Sequence, residues 1–427
     1  MKQFSILSIV FAFLIFGEYN NLYPQDVLTL LHSSNSGLAA KIKLIEEAQY
    51  SLDLSYYALD EDESGKYILS RLLMASARGV KVRIIVENHF SSLSNELLTY
   101  LMEHHISVKY YNPFRIKKGF KNMSWMHDKL IIADGKSMIT GGRNINNAYY
   151  ELPYPTDKKF IDIEVRIDGD KSALAQQYYE HLWHSSYTGN PRIKARKIDE
   201  ASYNFIQSEF ESLKRTNWAL ENAAPVAEKY YPDSIEFIHD YFYEWPKSQN
   251  VTRKVLNLIR DADSSIVIES PYAITPNRTF RRLRNAVKRG VKVRIVSNAP
   301  SATDVLIAAA GFINDRKKYL DSNIEIWEYN GPHTLHSKTV VFDNQVTMIG
   351  SYNFDNLSYE VNSEIIALIY DSKFSKSVAH IMQDRLLGSV KINAKDYQDP
   401  ALDEMLAKQL KKYRILLKTF PFIKRFI

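Results

Sequence analysis

The chain contains no cysteine among its 427 residues. Disulfides, thiolate metal sites and cysteine nucleophiles are therefore excluded. The compartment is not settled by that absence, because exported and cytosolic proteins can both lack cysteine. A strong charge of one sign is missing too. The net charge of +6 is too small to name a partner, though it suits polyanionic substrates or anionic membrane surfaces. The N-terminal apolar run, Phe4 to Phe16, is 13 residues long. It falls short of the roughly 20 residues that a membrane span needs. What remains is ordinary for a packed globular chain: 45% hydrophobic and 24% charged residues.

Lys2 stands before the apolar run, and Gly17 and Glu18 end it. A charged start and a short apolar block match a secretory signal. Ile15 occupies the place where a small residue favours cleavage after Gly17, so a retained N-terminal anchor is the alternative. Residues 1–24 are assigned to this signal or anchor.

Three short stretches recur at nearly constant separation. "RGVKVRIIV" from Arg78 returns as "RGVKVRIVS" from Arg289, 211 residues later. "HDKLIIAD" from His127 returns as "HSKTVVFD" from His336, and "GGRN" from Gly141 as "GSYN" from Gly350, both after 209 residues. A period of that length means a duplicated domain rather than a solenoid. Around each copy, amphipathic helical stretches alternate with strand-like ones. Leu38, Ile42 and Ile45 share one helical face, Ile68, Leu72 and Ala75 another, and Val251, Val255 and Leu258 a third. Gly79 and Gly290 stand where helices should end. The fold class is α/β, with helices covering a sheet in each half. The expected domains are 25–190 and 251–395, joined by a helical linker over 191–250 and followed by a tail over 396–427.

Side chains alternate along a strand, so His127 and Lys129 project from one face, as do His336 and Lys338. An imidazole beside an ammonium on a rigid element makes an anion site. Asp134-Gly135 and Asp343-Asn344 fall between strand-like runs and read as hairpin turns. The two aspartates are thus expected to shape turns rather than carry protons. The returning strands deliver Asn144 and Asn353 after the small pairs Gly141-Gly142 and Gly350-Ser351. Small residues are expected to let the backbone approach a ligand, and each asparagine amide can donate to a phosphate oxygen. A single histidine in an apolar strand is usually a core residue. Two in one repeated constellation, each beside a lysine, argue for chemistry. A divalent metal is not expected, because lysine is adjacent and no further ligand has suitable spacing on either strand.

The pattern H-x-K-x4-D, followed after six residues by G-[GS]-x-N and present twice, resembles the HKD signature of the phospholipase D superfamily. The resemblance implies two similar α/β/α halves about a pseudo-two-fold axis, with one active site at their junction and no cofactor. It implies phosphodiester exchange in which one histidine becomes a phosphohistidine and the other protonates the leaving alkoxide. It counts His127, Lys129, Asp134, His336, Lys338 and Asp343 as the catalytic set, with Asn144 and Asn353 on the phosphate. It further implies an acid beyond each asparagine that orients a histidine. Glu364 is the expected residue in the second half and Asp162 in the first, with Glu151 and Glu164 as competitors. By the same analogy His127 is the nucleophile and His336 the acid.

Longer stretches, "WMHDKLIIADGKSMITGGRNINNAYYE" and "LHSKTVVFDNQVTMIGSYNFDNLS", are similar to the bacterial cardiolipin synthase branch, particularly its C-type members. That branch often carries Pro-Arg-Ser where this chain has Asn356-Leu357-Ser358, so the substrate contact that the resemblance implies for the arginine is not expected here. The tail "MLAKQLKKYRILLKTFPFIKRFI" holds seven Lys or Arg and no acid, as an interfacial helix on anionic lipid would. The expected function is a membrane-associated phosphatidyltransferase acting on the exported side. It would pass a phosphatidyl group to phosphatidylglycerol, with phosphatidylethanolamine as an alternative donor, and work as a monomer. Phospholipase D hydrolysis and a nuclease are the alternatives. Nucleic acid is the less expected partner, since the short nuclease arrangement carries one motif per chain.

Overall fold

The structure, a computed structural model, describes residues 26–113, 124–150, 159–193, 198–222, 228–241 and 247–393, with isolated positions between 408 and 418. The expected signal or anchor over 1–24 lies outside the described residues, as do Glu151 and most of the basic tail. Among the described residues no helix is long and apolar enough to cross a membrane.

The first half runs β1 (Val27–Leu31), α1 (Ser34–Glu47), β2 (Ser51–Tyr56), α2 (Glu63–Ala77), β3 (Lys81–Glu87), α3 (Asn95–Glu103) and β4 (Ile106–Tyr111). It continues through β5 (Lys129–Ala133), β6 (Ser137–Gly141), β7 (Phe160–Ile161), β8 (Glu164–Asp168), α4 (Ser172–His184) and β9 (Thr188–Gly189). Between the halves lie α5 (Glu200–Lys214), α6 (Trp218–Glu221) and β10 (Lys229–Tyr230). The second half runs β11 (Ser234–His239), α7 (Asn250–Asp261), β12 (Ser265–Glu269), α8 (Asn277–Lys288), β13 (Lys292–Asn298), α9 (Leu306–Leu320) and β14 (Glu325–Tyr329). It closes with β15 (Thr334–Leu335), β16 (Thr339–Phe342), β17 (Val346–Gly350), α10 (Asn356–Glu360), β18 (Ile365–Tyr370), α11 (Ser372–Arg385) and β19 (Ser389–Ile392).

Each half builds one mixed sheet. The first has the order β10-β1-β8-β6-β5-β2-β3-β4-β9, and the second β11-β18-β17-β16-β12-β13-β14-β19. β2, β3 and β4 are parallel, and so are β12, β13 and β14. The apolar faces foreseen on the helices pack inward: Leu38, Ile42, Ile45, Ile68, Leu72, Ala75, Val251 and Val255 sit in cores, and Leu258 is half-buried against one of them. Gly79 and Gly290 follow their helices with φ of 91° and 96°, the left-handed conformation that glycine accepts without a Cβ penalty. A third core spans the junction. Leu130, Ile132, Met138 and Val165 of the first sheet meet Val341, Ile349, Ile365 and Ala367 of the second, with Tyr178 of α4 and Val378 of α11 alongside. The halves therefore share apolar packing rather than touching across a wet seam.

The segment expected as a helical linker over 191–250 divides instead. β10 adds to the edge of the first sheet beside β1, while β11 pairs with β18 along six residues of the second. The short alternating run "SIEFIH" placed strand chemistry where a connection was expected.

The hairpins behave as the turn residues demand. Asp134 and Gly135 have φ of 55° and 63°, and Asp343 and Asn344 have 54° and 53°. These left-handed pairs match the right-handed twist of the flanking strands. Asp134 also accepts hydrogen bonds from the backbone N–H groups of Gln49, Tyr50 and Ser51 at 2.9, 2.7 and 2.8 Å. Asp343 does the same for Asp263, Ser264 and Ser265 at 3.0, 2.8 and 2.8 Å.

Candidate active site

The two histidines stand just before β5 and β16, where the halves cross. The chain leading to His127 bridges in parallel to the other half at Ser363: His127 N–H donates to Ser363 O at 3.0 Å, and Ser363 N–H to Trp125 O at 2.8 Å. The mirror arrangement holds at His336. β15 pairs with β7, and His336 N–H donates to Ile161 O at 2.7 Å. The residues next to Ser363 and Ile161 are Glu364 and Asp162. Each half therefore delivers its acid to the other half's histidine.

His127 Nδ1 lies 3.1 Å from Glu364 Oε2, and His336 Nδ1 lies 2.9 Å from Asp162 Oδ2. The sheet register fixes the assignment of Asp162. Gly141 pairs with Glu164 and Gly350 with Ile366, so Asp162 is the counterpart of Glu364. Glu164 has other partners, the buried Lys41 and Arg143 at 2.5 and 3.2 Å. Glu364 is held by Ser351 and by Ser358, whose hydroxyl donates to Oε1 at 2.6 Å. Asp162 Oδ1 accepts the Ile163 N–H at 2.8 Å.

Both imidazoles are buried, and burial followed by the neighbouring lysine lowers each to about 4. Burial works against ionisation of the two carboxyls, but Lys338 and His336 beside Asp162, and His127, Lys247 and the Ser351 hydroxyl beside Glu364, outweigh it and both stay below the ordinary range. A neutral imidazole beside a carboxylate keeps its proton on Nδ1 and carries its lone pair on Nε2. Lys129 Nζ donates to His127 O at 2.7 Å and lies 4.8 Å from the centre of the Tyr57 ring. Lys338 Nζ donates to His336 O and lies 2.7 and 3.0 Å from the two ring nitrogens of His336. Burial pushes Lys338 down to about 8. Burial and the charge of Lys338 lower Lys129 as well. No carboxylate forms an ion pair with either lysine among the described residues. Neither buried ammonium has a carboxylate in direct contact, so a bound anion would find both donors available.

Asn144 and Asn353 sit in the same place, buried, and the Oδ1 of each lacks a partner. Asn144 Nδ2 is 3.1 Å from the Tyr149 hydroxyl. The opposite amide orientation lets Oδ1 accept from that hydroxyl and frees Nδ2–H for a phosphate oxygen.

Two expectations change. Asp134 and Asp343 are removed from the catalytic set. They close hairpins at the far ends of β5 and β16, seven residues or roughly 23 Å of extended chain from the histidines, and their carboxylates are committed to backbone N–H groups. The small residues serve a different close approach from the one expected. A Cβ at Gly141 would lie 2.4 Å from Ile163 O, and one at Gly350 2.3 Å from Ile365 O, so they admit the neighbouring strand. A Cβ at Gly142 would lie 2.2 Å from an Asp162 carboxylate oxygen, whereas Ser351 at the matching position reaches Glu364. The shorter aspartate needs the vacant space, and the longer glutamate leaves room for a hydroxyl.

Sequence reasoning missed Tyr149 and Ser358. The Tyr149 hydroxyl is 3.3 Å from either ring nitrogen of His336, and its ring stands edge-on at 5.3 Å. Both residues lie five places beyond the motif asparagine, so the 209-residue offset that exposed the histidines also marks them. Asp128 was missed as well. It is fully buried between His127 and Lys129, on Ser55 and Tyr178.

Residues 42–183 and 255–386 match the sequence profile described as "Cardiolipin synthase, PLD-like domain". An uncharacterized protein of Helicobacter pylori (strain J99) is 26% identical over 83% of this chain and 78% of its own. Cardiolipin synthase C of Escherichia coli (strain K12) is 24% identical over 81% of this chain and 84% of its own. Cardiolipin synthase A of Pseudomonas putida is 27% identical over 88% and 71%. A phosphatidylserine synthase structure from Haemophilus influenzae Rd KW20 shares the fold with a TM-score of 0.70 at 16% identity, covering 95% of this chain and 98% of that one.

Proposed function

The chain belongs to the cardiolipin synthase family with phospholipase D-like domains, and from that premise we propose that it is a phospholipid phosphatidyltransferase working through a phosphohistidine. The observation that carries the reading is the pair of neutral, buried imidazoles, each on a carboxylate from the opposite half and each beside a buried lysine.

The steps follow from that geometry. The phosphodiester anion takes the place between the lysines and meets their charge. Its own negative charge raises the histidine it does not bond to, so that His336 can hold a proton. His127 Nε2 attacks phosphorus, the bond from phosphorus to the headgroup oxygen breaks, and His336 gives that oxygen its proton. Neutral His336 then takes a proton from the incoming hydroxyl as that oxygen attacks the phosphohistidine, and His127 leaves as neutral imidazole. With phosphatidylglycerol as acceptor the product is cardiolipin, and with water it is phosphatidic acid. The protein works at a membrane surface. The exported side is favoured by the apolar stretch Phe4 to Phe16, and lipid contact by the basic tail.

The test is to incubate the purified full chain with phosphatidylglycerol vesicles, with and without phosphatidylethanolamine, and to follow cardiolipin, phosphatidic acid and free headgroup. Cardiolipin is the expected product. Phosphatidic acid alone would overturn the synthase reading in favour of a phospholipase D. DNA cleavage without lipid turnover would overturn both. A covalent lipid adduct that accumulates in His336→Ala supports His127 as nucleophile, and one in His127→Ala reverses the roles.

A further inference from the structure

The surroundings of the two histidines differ in chemistry. On the His127 side the wall is aromatic. Tyr57 stands edge-on to His127 at 4.7 Å, Phe90 stacks on Tyr57 at 4.3 Å, and Trp125 meets Phe90 at 5.4 Å. Phe90 belongs to the stretch Asn88–Ser94 after β3, which holds no carboxylate. The corresponding stretch after β13, residues 299–305, carries Asp304. That loop is tied to the strand leading into His336, because the Thr334 hydroxyl donates to Ala302 O at 2.6 Å. Two residues beyond the tie, the exposed Asp304 carboxylate accepts the Tyr272 hydroxyl at 2.7 Å.

The commoner reasons for such a carboxylate do not apply. Asp304 forms no ion pair among the described residues. It does not cap α9 either, whose N-cap is Val305 with no side-chain cap bond. Its charge reaches Lys338, His336 and Tyr149. A negative charge there opposes the binding of a phosphate, so its place must be justified by something other than phosphate. The other part of a phospholipid headgroup is its polar alcohol.

We propose that Asp304 and Tyr272 form a subsite that reads the headgroup alcohol on the His336 side, accepting hydrogen bonds from a group that carries an ammonium or a free hydroxyl. The inference rests on the phosphatidyltransferase reading, in which His336 protonates the leaving oxygen and deprotonates the incoming one. Both alcohols therefore pass the same side. Tyr272 spends its hydroxyl on one carboxylate oxygen and fixes the direction of the other. A headgroup with a donor replaces the water on this carboxylate with a direct hydrogen bond, and a headgroup without one does not.

The experiment compares the full chain with Asp304→Asn and Tyr272→Phe on four substrates: phosphatidylethanolamine, phosphatidylglycerol, phosphatidylcholine, and bis(p-nitrophenyl) phosphate, which has no headgroup. Asp304→Asn is expected to lower kcat/KM on the first two by about 10–100-fold, chiefly through KM. The loss on the last two is expected to be smaller than on the first two, and an unchanged thermal unfolding midpoint certifies the fold of the variant. Tyr272→Phe should show the same pattern, weaker. A larger loss on phosphatidylethanolamine identifies the ammonium as the preferred group, and a larger loss on phosphatidylglycerol the hydroxyl. An equal loss on all four substrates, or none on any, overturns the subsite. Absence of lipid turnover by the unaltered protein, with bis(p-nitrophenyl) phosphate still cleaved, overturns the lipid reading itself.

Discussion

Glu364 and His127 lie 237 residues apart in sequence and in different halves, yet Oε2 of one is 3.1 Å from Nδ1 of the other. The carboxylate fixes which nitrogen bears the proton and hence which one faces phosphorus. Glu364→Gln keeps the shape but removes the charge that supports the imidazolium forming in the reaction. Its kcat should fall by about 100-fold or more with KM little changed. Asp162→Asn should act likewise through His336. The cross-pairing has a further consequence: Glu364→Gln should slow formation of the adduct on His127, seen by quenching single turnovers. An unchanged rate of adduct formation would refute the pairing.

Asp134→Ala tests the removal of the motif aspartates from the chemistry. The variant loses the acceptor for three N–H groups and places alanine at a φ of 55°. It should be destabilised by about 2–4 kcal/mol in urea unfolding, while kcat of the folded protein stays within about threefold. Asp134→Asn, which keeps an acceptor and tolerates the left-handed turn, should recover most of the stability. A collapse of kcat in a fully folded Asp134→Asn protein would restore the aspartate to the catalytic set.

Gly142 is the next test, because its missing Cβ is filled by Asp162. Alanine there would bring a methyl within 2.2–2.4 Å of both carboxylate oxygens. The carboxylate must shift, and His336 with it, which should cost about 10–100-fold in kcat. Ser351→Gly removes only one of the two hydroxyls on Glu364, and its loss should stay below about tenfold. Equal effects at the two positions would contradict this account of the Gly-Gly and Gly-Ser difference.

Most of the architecture was legible because duplication made the sequence its own control. The period near 210 exposed both histidines, and the strand parity of His127 and Lys129 told what they face. Glu364 could be placed because only the short α10 intervenes after Asn353, whereas the stretch after Asn144 is longer and left Asp162 among three candidates. The register of β6 against β8, with Glu164 engaged by Lys41 and Arg143, separates Asp162 from Glu164. Cross-pairing of the acids was not legible, since it depends on β7 meeting β15 and Met126 meeting Ser363 across the junction. No periodicity within one half reports a contact with the other. β11 was overlooked for a similar reason: its six residues become a strand only by pairing with β18.

The environment of Asp128 has no equal in the second half. Ser55 and Tyr178 donate to its Oδ2 at 2.9 and 2.8 Å, while Oδ1 is buried without a partner. At the matching places the acid and the hydroxyl are exchanged. Glu269 stands where Ser55 does, paired with Arg385, and Ser337 replaces Asp128. Asp128 has no such arginine, and burial pushes its carboxyl up to about 7 against the pull of the two hydroxyls and Lys129. In the unfolded chain the group titrates near 4. Folding therefore takes up a proton between about pH 4 and pH 7. The stability linked to it is greatest below that window and is lost as pH rises through 7, by at most about 1.4 kcal/mol per pH unit. His127 and His336 produce the opposite slope, because their lowered values make folding release protons as pH falls below 6.5. Those slopes are common to the native chain and to Asp128→Asn, so they cancel in the difference. Thermal unfolding of the pair at pH 5, 6, 7 and 8 should show the variant gaining on the native chain up to pH 7 and holding level above it. Parallel curves across that range would mean that Asp128 is ionised in the folded protein, and the buried proton beside the catalytic strand would have to be given up.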